Sequence, residues 1–228
     1  MHFFLQRSPM RISYLAAGLA LALSALLPAQ ASTMMVFKGI LHIERKQKVI
    51  PVSVGSVIRE SDTLVVEPDG EALVRFKDGA NMVVRSDSRV TFDQLIQKGE
   101  LKKRKKTLRI LKGGMRYVSG KATRKSQVAF VTDTVSIGIR GTDIEIAVAT
   151  DNLSGNPAGT YLKVNTGQAV LVAQDGTQVE VDPGQVAFGT EPELTPRGAG
   201  GVRRPAARRV ESALPGLFKA GGLDRLLR

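Results

Sequence analysis

The stretch from residue 130 to residue 148, FVTDTVSIGIRGTDIEIAV, constrains the fold most, because apolar and polar residues alternate on both sides of Gly141 and Thr142. This period of two places successive side chains on opposite faces of a β-strand. One face of each arm is apolar, with Val135, Ile137 and Ile139 on the first arm and Ile144, Ile146 and Val148 on the second. If Gly141 and Thr142 form a two-residue turn, the arms pair as a hairpin in which Arg140 stands opposite Asp143. The sequence therefore predicts strand, tight corner and strand.

Short apolar runs separated by turn residues fill the rest of residues 32–190. Pro-Asp-Gly, Lys-Asp-Gly and Ser-Asp-Ser interrupt residues 63–97 at regular intervals. This spacing predicts an all-β domain without crossover helices. A β-sandwich or roll and a flattened β-solenoid of short hairpin-linked strands both show this pattern, so both remain open.

The first 31 residues have the composition of a secretory signal peptide. Arg7 and Arg11 give a basic start, residues 14–27 an apolar run, and Ala29-Gln30-Ala31 a small-residue cleavage site. The apolar run is short for a membrane span, which leaves an uncleaved anchor as the alternative. Cleavage lowers the formal charge from +12 to +10, because both arginines leave with the leader. We expect a basic mature protein that is periplasmic or secreted.

Residue types that support catalysis or metal binding are scarce. The sequence contains no Cys, which excludes thiol chemistry, and His42 is its only His beyond the leader. We therefore expect no metal, no cofactor and no enzymatic activity. A minor alternative is a hydrolase with paired carboxylates on one strand face, either Asp143 with Glu145 or Glu180 with Asp182. It requires a raised carboxyl pKa at Glu145 or Glu180.

Residues 98–109, KGELKKRKKTLR, carry the densest positive charge of the chain. We interpret them as a basic loop tip with the cations Lys102, Lys103, Arg104, Lys105 and Lys106. Clustered cations can bind anionic cell-wall polymer, lipid headgroups or nucleic acid. The simpler interpretation is a solvated hairpin tip that blunts a sheet edge. No aromatic residue is interleaved, so nucleic acid is not the expected partner.

The composition changes again in residues 191–228, where prolines, glycines and arginines cluster. This composition predicts a flexible basic tail, disordered at residues 197–206. Residues 208–214 and 217–227 could each form a short helix that docks on a membrane surface or a partner, although Pro215 and the Gly221-Gly222 pair break the run. A frayed terminus is the simpler interpretation.

The corner residues Arg140, Gly141, Thr142 and Asp143 form the first candidate contact site. Arg140 could present its guanidinium to a partner's carboxylate from a rigid corner. The alternative is that Arg140 pairs internally with Asp143 or Glu145 and stabilises the corner. Gly141 would supply a backbone conformation that other residues avoid, and Thr142 a hydrogen bond to the turn.

The segments IGIRGTDIEI, YLKVNTGQAVLV and VDPGQVAF together resemble the conserved core of FecR-type domains of bacterial envelope proteins. The resemblance extends over residues 52–188, with Gly70, Asp78-Gly79 and Ser88 where the family's pattern places them. Ser61 stands where such domains often have Gly. The resemblance implies an all-β domain that acts by protein-protein contact, as in regulators of iron-uptake signalling.

We therefore expect a non-enzymatic exported module that docks an envelope protein through a sheet edge or the corner. The alternative is an envelope-polymer or membrane-surface binding module that uses the basic loop and the tail. As the resemblance implies, the regulators of this family contain a cytoplasmic anti-sigma segment, then one membrane span, and then the periplasmic domain. In this sequence we expect a cleavable leader in place of the anti-sigma segment and the membrane span. Direct control of a sigma factor is therefore not expected.

Overall fold

The computed structural model describes residues 32–96, 105–121, 127–151, 156–192, 205–211, 216–218 and 220–227. The expected leader lies outside these residues. The all-β prediction is confirmed, because the described residues form strands and one 3-10 helix, Asp224–Leu227. The strands are β1 Ser32–Lys38, β2 Leu41–Arg45, β3 Lys48–Pro51, β4 Val57–Ile58, β5 Thr63–Val66, β6 Glu71–Arg75, β7 Asn81–Val84, β8 Ser88–Ile96, β9 Lys105–Val118, β10 Gln127–Val131, β11 Val135–Ala149, β12 Gly159–Ala173, β13 Gln178–Val181, β14 Val186–Gly189 and β15 Ala207–Val210.

Three long strands, β9, β11 and β12, join two layers of one continuous sheet. The first half of β9 pairs with β8 and β10, and its second half pairs with β7 and β11. Strands that pass from one layer to the other in this way fold a sheet over itself. Layer 1 contains β2, β3, β5, β8, β10 and β13, and layer 2 contains β1, β4, β6, β7, β14 and β15. Each layer also contains one half of each long strand.

A glycine marks the point where each long strand passes between the layers. Gly113, Gly141 and Gly167 have positive φ values of 82°, 62° and 82°. Other residues adopt this backbone region only at a cost in free energy. Ser88 holds the first bend, because its hydroxyl accepts a hydrogen bond from the Gly114 amide at 2.9 Å and donates one to the Gly114 carbonyl at 3.1 Å.

The expected hairpin at Gly141 is wrong. β11 continues through this residue, and its arms pair with β10 in layer 1 and with β9 in layer 2 rather than with each other. Arg140 lies opposite Gln168 of β12, and Asp143 lies opposite Thr166. The register shifts between these two pairs, as in a β-bulge, which bends a strand without reversing it.

One apolar core fills the space between the layers. It includes Leu64 and Ile137 from layer 1 and Met82 and Leu162 from layer 2. β9 and β10 pair in parallel, whereas the other pairings among the described residues are antiparallel. A solenoid would instead stack repeats that contact only their neighbours. Of the two predicted alternatives, the structure is therefore the β-sandwich or roll and not the flattened solenoid.

The C-terminal region differs from the predicted flexible tail. Ala207–Val210 forms strand β15 beside β14, although a short helix was expected there. Residues 216–218 and 220–227, which we call the C-terminal segment, lie over the outer face of layer 2 and become helical only in the last turn. Burial of Leu223 and Leu227 against the sheet outweighs the breaking effect of the glycines. Most of the stretch predicted to be disordered lies outside the described residues. In the part of the chain that the structure describes, no helix has the length and hydropathy needed to cross a membrane.

Candidate functional site

Arg140 lies on the outer face of layer 1, where its side chain is exposed. It lines a shallow groove of about 890 Å³ across β9, β10, β11 and β12. The groove residues include the cations Lys105, Lys106 and Arg140 and no Asp or Glu. Among the described residues, no carboxylate forms an ion pair with Arg140. The alternative interpretation, in which Arg140 pairs internally with Asp143 or Glu145, is therefore wrong.

The other corner residues do not form a contact site with Arg140. Asp143 lies beyond the bulge on the outer face of layer 2. Its carboxylate accepts a bidentate pair of hydrogen bonds from one edge of the Arg116 guanidinium, from Nε at 2.9 Å and from Nη2 at 2.6 Å. Thr142 is buried, and its amide donates a hydrogen bond to the Ser119 hydroxyl at 3.1 Å. Its own hydroxyl has no partner among the described residues, contrary to the expected turn hydrogen bond. The bulge thus fixes β11 against β9 and separates Arg140 from Asp143.

The expected basic loop is only partly described. Lys102, Lys103 and Arg104 lie outside the described residues. Lys105 begins β9, so it lies in a strand rather than in the expected loop, and its side chain is exposed. Lys106 is the next residue of the same strand, and the alternation of β9 turns its side chain inward.

The prediction that Lys106 belongs to a solvated loop tip is wrong, because its side chain is only 3% exposed. Its Nζ lies 2.8 Å from Asp78 Oδ2, 2.9 Å from the Tyr117 hydroxyl and 3.9 Å from the centre of the Phe76 ring. Burial lowers the pKa of Lys106 from 10.5 to about 8, although the charge of Asp78 opposes this change. Lys106 is therefore a structural cation within the fold.

Charged side chains form a line across the outer face of layer 2. Arg85 Nη2 donates to Glu145 Oε2 at 2.5 Å and lies 3.4 Å from Asp224 Oδ1. Lys163 Nζ lies 3.3 Å from Glu145 Oε1, and the Asn165 amide donates to the same oxygen at 3.1 Å. Opposite charges thus alternate from β7 to β12, and the line is largely buried.

The pKa of Glu145 shows the effect of this line of charges. Burial by itself would raise the pKa, but the hydrogen bond and positive charge of Arg85, with Asn165 and Lys163, lower it. The hydrolase alternative required a raised pKa at Glu145 or Glu180, and at Glu145 the pKa is lowered instead. Among the described residues, no group of three His, Asp or Glu side chains is placed to hold a metal ion.

The C-terminal segment covers this line of charges. Glu71 of β6 accepts hydrogen bonds from the amides of Gly222 and Leu223, both at 2.9 Å. Asp224 Oδ1 lies 3.9 Å from Arg116 Nη1 in addition to its contact with Arg85. Main-chain amides and one carboxylate therefore connect the segment to the sheet.

Apolar contacts on both sides of the charges complete the docking. Leu223 and Leu227 pack on Leu73 and Val83 of layer 2. Leu217 and Phe218 pack against a second group on the same face, which includes Ala147, Ala149, Tyr161 and Phe188. The outer face of layer 2 thus has a charged centre and two apolar flanks, all under one short segment.

A cavity of about 500 Å³ remains between the segment and the sheet. Arg85, Lys38 and Lys112 line it, together with backbone of the Gly113 bend. Arg85 is 7% exposed, yet its Nε and Nη1 have no hydrogen-bond partner among the described residues. The C-terminal segment therefore leaves part of this guanidinium unsatisfied.

Most of the large exposed apolar side chains lie in the N-terminal part of the described chain. Of six large apolar side chains that are exposed among the described residues, five lie between residues 36 and 57: Val36, Ile40, Val49, Val54 and Val57. β3 pairs only with β2, and β4 only with β1, so each leaves one backbone edge unpaired within the described strands. Val49 on β3 is 67% exposed, and Val57 on β4 is 39% exposed.

Comparison with known families supports the resemblance seen in the sequence. The family model described as FecR protein matches residues 62–169. Over these residues the chain is similar to a FecR-type domain. The matched region runs from the turn before β5 into β12 and includes the Gly141 bulge. It is narrower than the expected range of residues 52–188.

Two crystal structures of a proposed anti-sigma factor from Parabacteroides distasonis, at 1.65 Å and 2.50 Å resolution, are similar to this chain. The sequence identities are 9% and 10%, and the TM-scores are 0.47 and 0.46. Each alignment covers 66% of this chain and 60% of the crystallised chain, which is less than two thirds of that chain's length. No curated protein matches the chain.

Sequence reasoning missed the residues that join the C-terminal segment to the sheet. Glu71 lies on β6, Arg85 directly follows β7, and Asp224 lies in the 3-10 helix, so only the fold brings them together. A partial signal was present, because Leu73 shares one face of its strand with the charged residues Glu71 and Arg75. An apolar residue on such a face indicates that something covers it.

Proposed function

We propose that this chain is an exported FecR-type domain that docks a protein partner in the bacterial envelope and takes part in signalling or sensing. The expected signal peptide supports the compartment, and the family match supports a regulatory role. The observation that carries the docking proposal is the set of exposed valines on the unpaired edges of β3 and β4.

An unpaired edge offers backbone N–H and C=O groups to an incoming strand, and neighbouring side chains add specificity. Val49 is exposed in the middle of β3, between Lys48 and Pro51, residues that limit uncontrolled edge pairing. Val54, 68% exposed, lies in the connection from β3 to β4. We infer that a short strand or loop of the partner binds along this apolar edge.

Affinity capture from envelope extract tests this function. Immobilised mature protein should retain a discrete protein partner at both low and high ionic strength, because apolar and backbone contacts are weakly screened. The V49K/V54K double variant should lose that partner while keeping the wild-type unfolding free energy, since both side chains are exposed. A control variant with Lys102, Lys103, Arg104 and Lys105 changed to Gln should retain the partner. Loss of capture in the control alone would contradict edge docking.

The groove around Arg140 favours a second candidate, which is binding of anionic envelope polymer or lipid. Lys105 and Arg140 face solvent there without a described carboxylate partner, and the groove has no acidic residue. In this case, co-sedimentation with peptidoglycan or with vesicles of anionic lipid should weaken steeply with salt. The K105Q/R140Q variant should weaken it further, and V49K/V54K should leave it unchanged.

A further inference from the structure

We propose that the outer face of layer 2 is an acceptor surface for a partner's peptide, and that the C-terminal segment is its resident occupant, which the peptide displaces. The peptide is an extended segment with one carboxylate side chain between large apolar residues. The inference rests on the proposed role in protein docking, but it concerns a different face from the edges of β3 and β4.

The chemistry of this face is that of a binding surface. Two apolar flanks, one with Leu73 and Val83 and the other with Tyr161 and Phe188, enclose a charged centre. Contiguous apolar patches of this kind are rare on the free surface of a soluble monomer, and they mark sites of protein contact. The face needs an occupant, and in this structure the C-terminal segment is that occupant.

The resident segment binds through contacts that another chain can reproduce. Glu71 accepts hydrogen bonds from two main-chain amides, those of Gly222 and Leu223, which any peptide backbone can supply. The charge complementarity comes from a single carboxylate, Asp224, placed 3.4 Å from Arg85 and 3.9 Å from Arg116. The required features are therefore a free backbone, one acid and flanking apolar anchors.

The fit of the resident segment is incomplete. Arg85 keeps Nε and Nη1 without described partners although it is 7% exposed, and the cavity of about 500 Å³ lies beside it. A buried donor without an acceptor costs free energy that a better-placed acceptor recovers. A longer carboxylate, Glu at the position of Asp224, would reach further toward Arg85. A partner peptide can thus bind this face more tightly than the resident segment does.

Two neighbouring glycines provide a matched pair of variants. A Cβ at Gly221 would lie 1.8 Å from Glu71 Oε1, and Glu71 cannot move without losing its hydrogen bonds to the segment. A Cβ at Gly222 would make only ordinary contacts, the nearest at 3.5 Å from Glu71 Oε2. G221A should therefore release the segment, and G222A should leave it in place.

The test measures binding of a fluorescein-labelled peptide with the sequence of residues 216–228 to the full-length protein. In the wild type and in G222A, the resident segment competes at high effective concentration, so the peptide should bind weakly. G221A should bind it at least about tenfold more tightly, and a D224E version of the peptide more tightly still. Adding R85M to G221A should reverse most of this gain.

Equal peptide binding to wild type, G221A and G222A, or no binding to any of them, would overturn the inference. L227S is the second release variant, because it removes a buried anchor without the backbone clash. Dimers of G221A in the absence of peptide would assign the face to a second copy of this chain and would also overturn it. The capture experiment with V49K/V54K tests only docking at the edges of β3 and β4. The peptide experiment tests only the outer face of layer 2, so either proposal can fail without the other.

Discussion

Replacing Lys106 with Met tests whether a buried cation reduces the stability of this fold. The ammonium group is 3% exposed and lies within hydrogen-bond distance of Asp78 and the Tyr117 hydroxyl. Despite these partners, burial lowers its pKa from 10.5 to about 8. The charged form is therefore less favourable in the folded protein than in the unfolded chain.

The magnitude follows from the two pKa values. Between pH 8 and pH 10.5, the unfolded chain holds the Lys106 proton and the folded protein releases it. Stability rises with pH wherever the unfolded state binds more protons. At about 1.4 kcal/mol per pH unit, the free energy of unfolding of the wild type should gain up to about 3 kcal/mol across this window. K106M lacks this gain.

Urea unfolding followed by circular dichroism, at about pH 7.5 and about pH 10.5, measures the effect. The difference in unfolding free energy between wild type and K106M should change by about 3 kcal/mol in favour of the wild type as the pH rises. K105M is the matched control, because Lys105 is the exposed neighbour on β9, and it should follow the wild type. Parallel pH curves for wild type and K106M would refute the reasoning.

Three further predictions concern unfolding free energies measured in urea. Gly167→Ala should destabilise the protein by at least about 2 kcal/mol and by more than Gly176→Ala, because both glycines have positive φ but only a Cβ at Gly167 would meet backbone, at 2.5 Å. Glu145→Gln should lower the free energy of unfolding by about 2 kcal/mol at neutral pH. This cost should vanish as the pH falls below 4.5 and through the lowered pKa of Glu145 in the folded protein, because protonation of Glu145 in the wild type removes the same interactions. Arg140→Ala should change stability by less than about 0.5 kcal/mol, and a larger loss would reveal an internal role for the guanidinium.

The alternation around Gly141 predicted the buried face of β11 correctly but not the path of the strand. Ile137, Ile144 and Ile146 all lie in the core, as their spacing of two requires. A tight turn and a β-bulge at a glycine preserve the same alternation on either side. The distinction depends on which strands lie alongside, and β9 and β10 are distant in sequence from the bulge.

Lys106 and the C-terminal segment show a second limit of sequence reasoning. A run of five cations predicts a solvated loop, but strand alternation places one of them beside Asp78 in the core. Gly221 and Gly222 predict a broken helix, whereas in the structure Gly221 allows close approach to Glu71. In both cases the deciding partner is a carboxylate far away in the chain, which composition and local spacing do not reveal.

Site-specific photo-crosslinking in the source bacterium tests most directly the central claim that this protein docks a partner through the unpaired edges of β3 and β4. A photo-reactive side chain at position 49 should give one discrete protein adduct, because Val49 is 67% exposed on an unpaired edge. The same side chain at position 140, in the groove on layer 1, should give none. Protein adducts from position 140 and none from position 49 would contradict the claim.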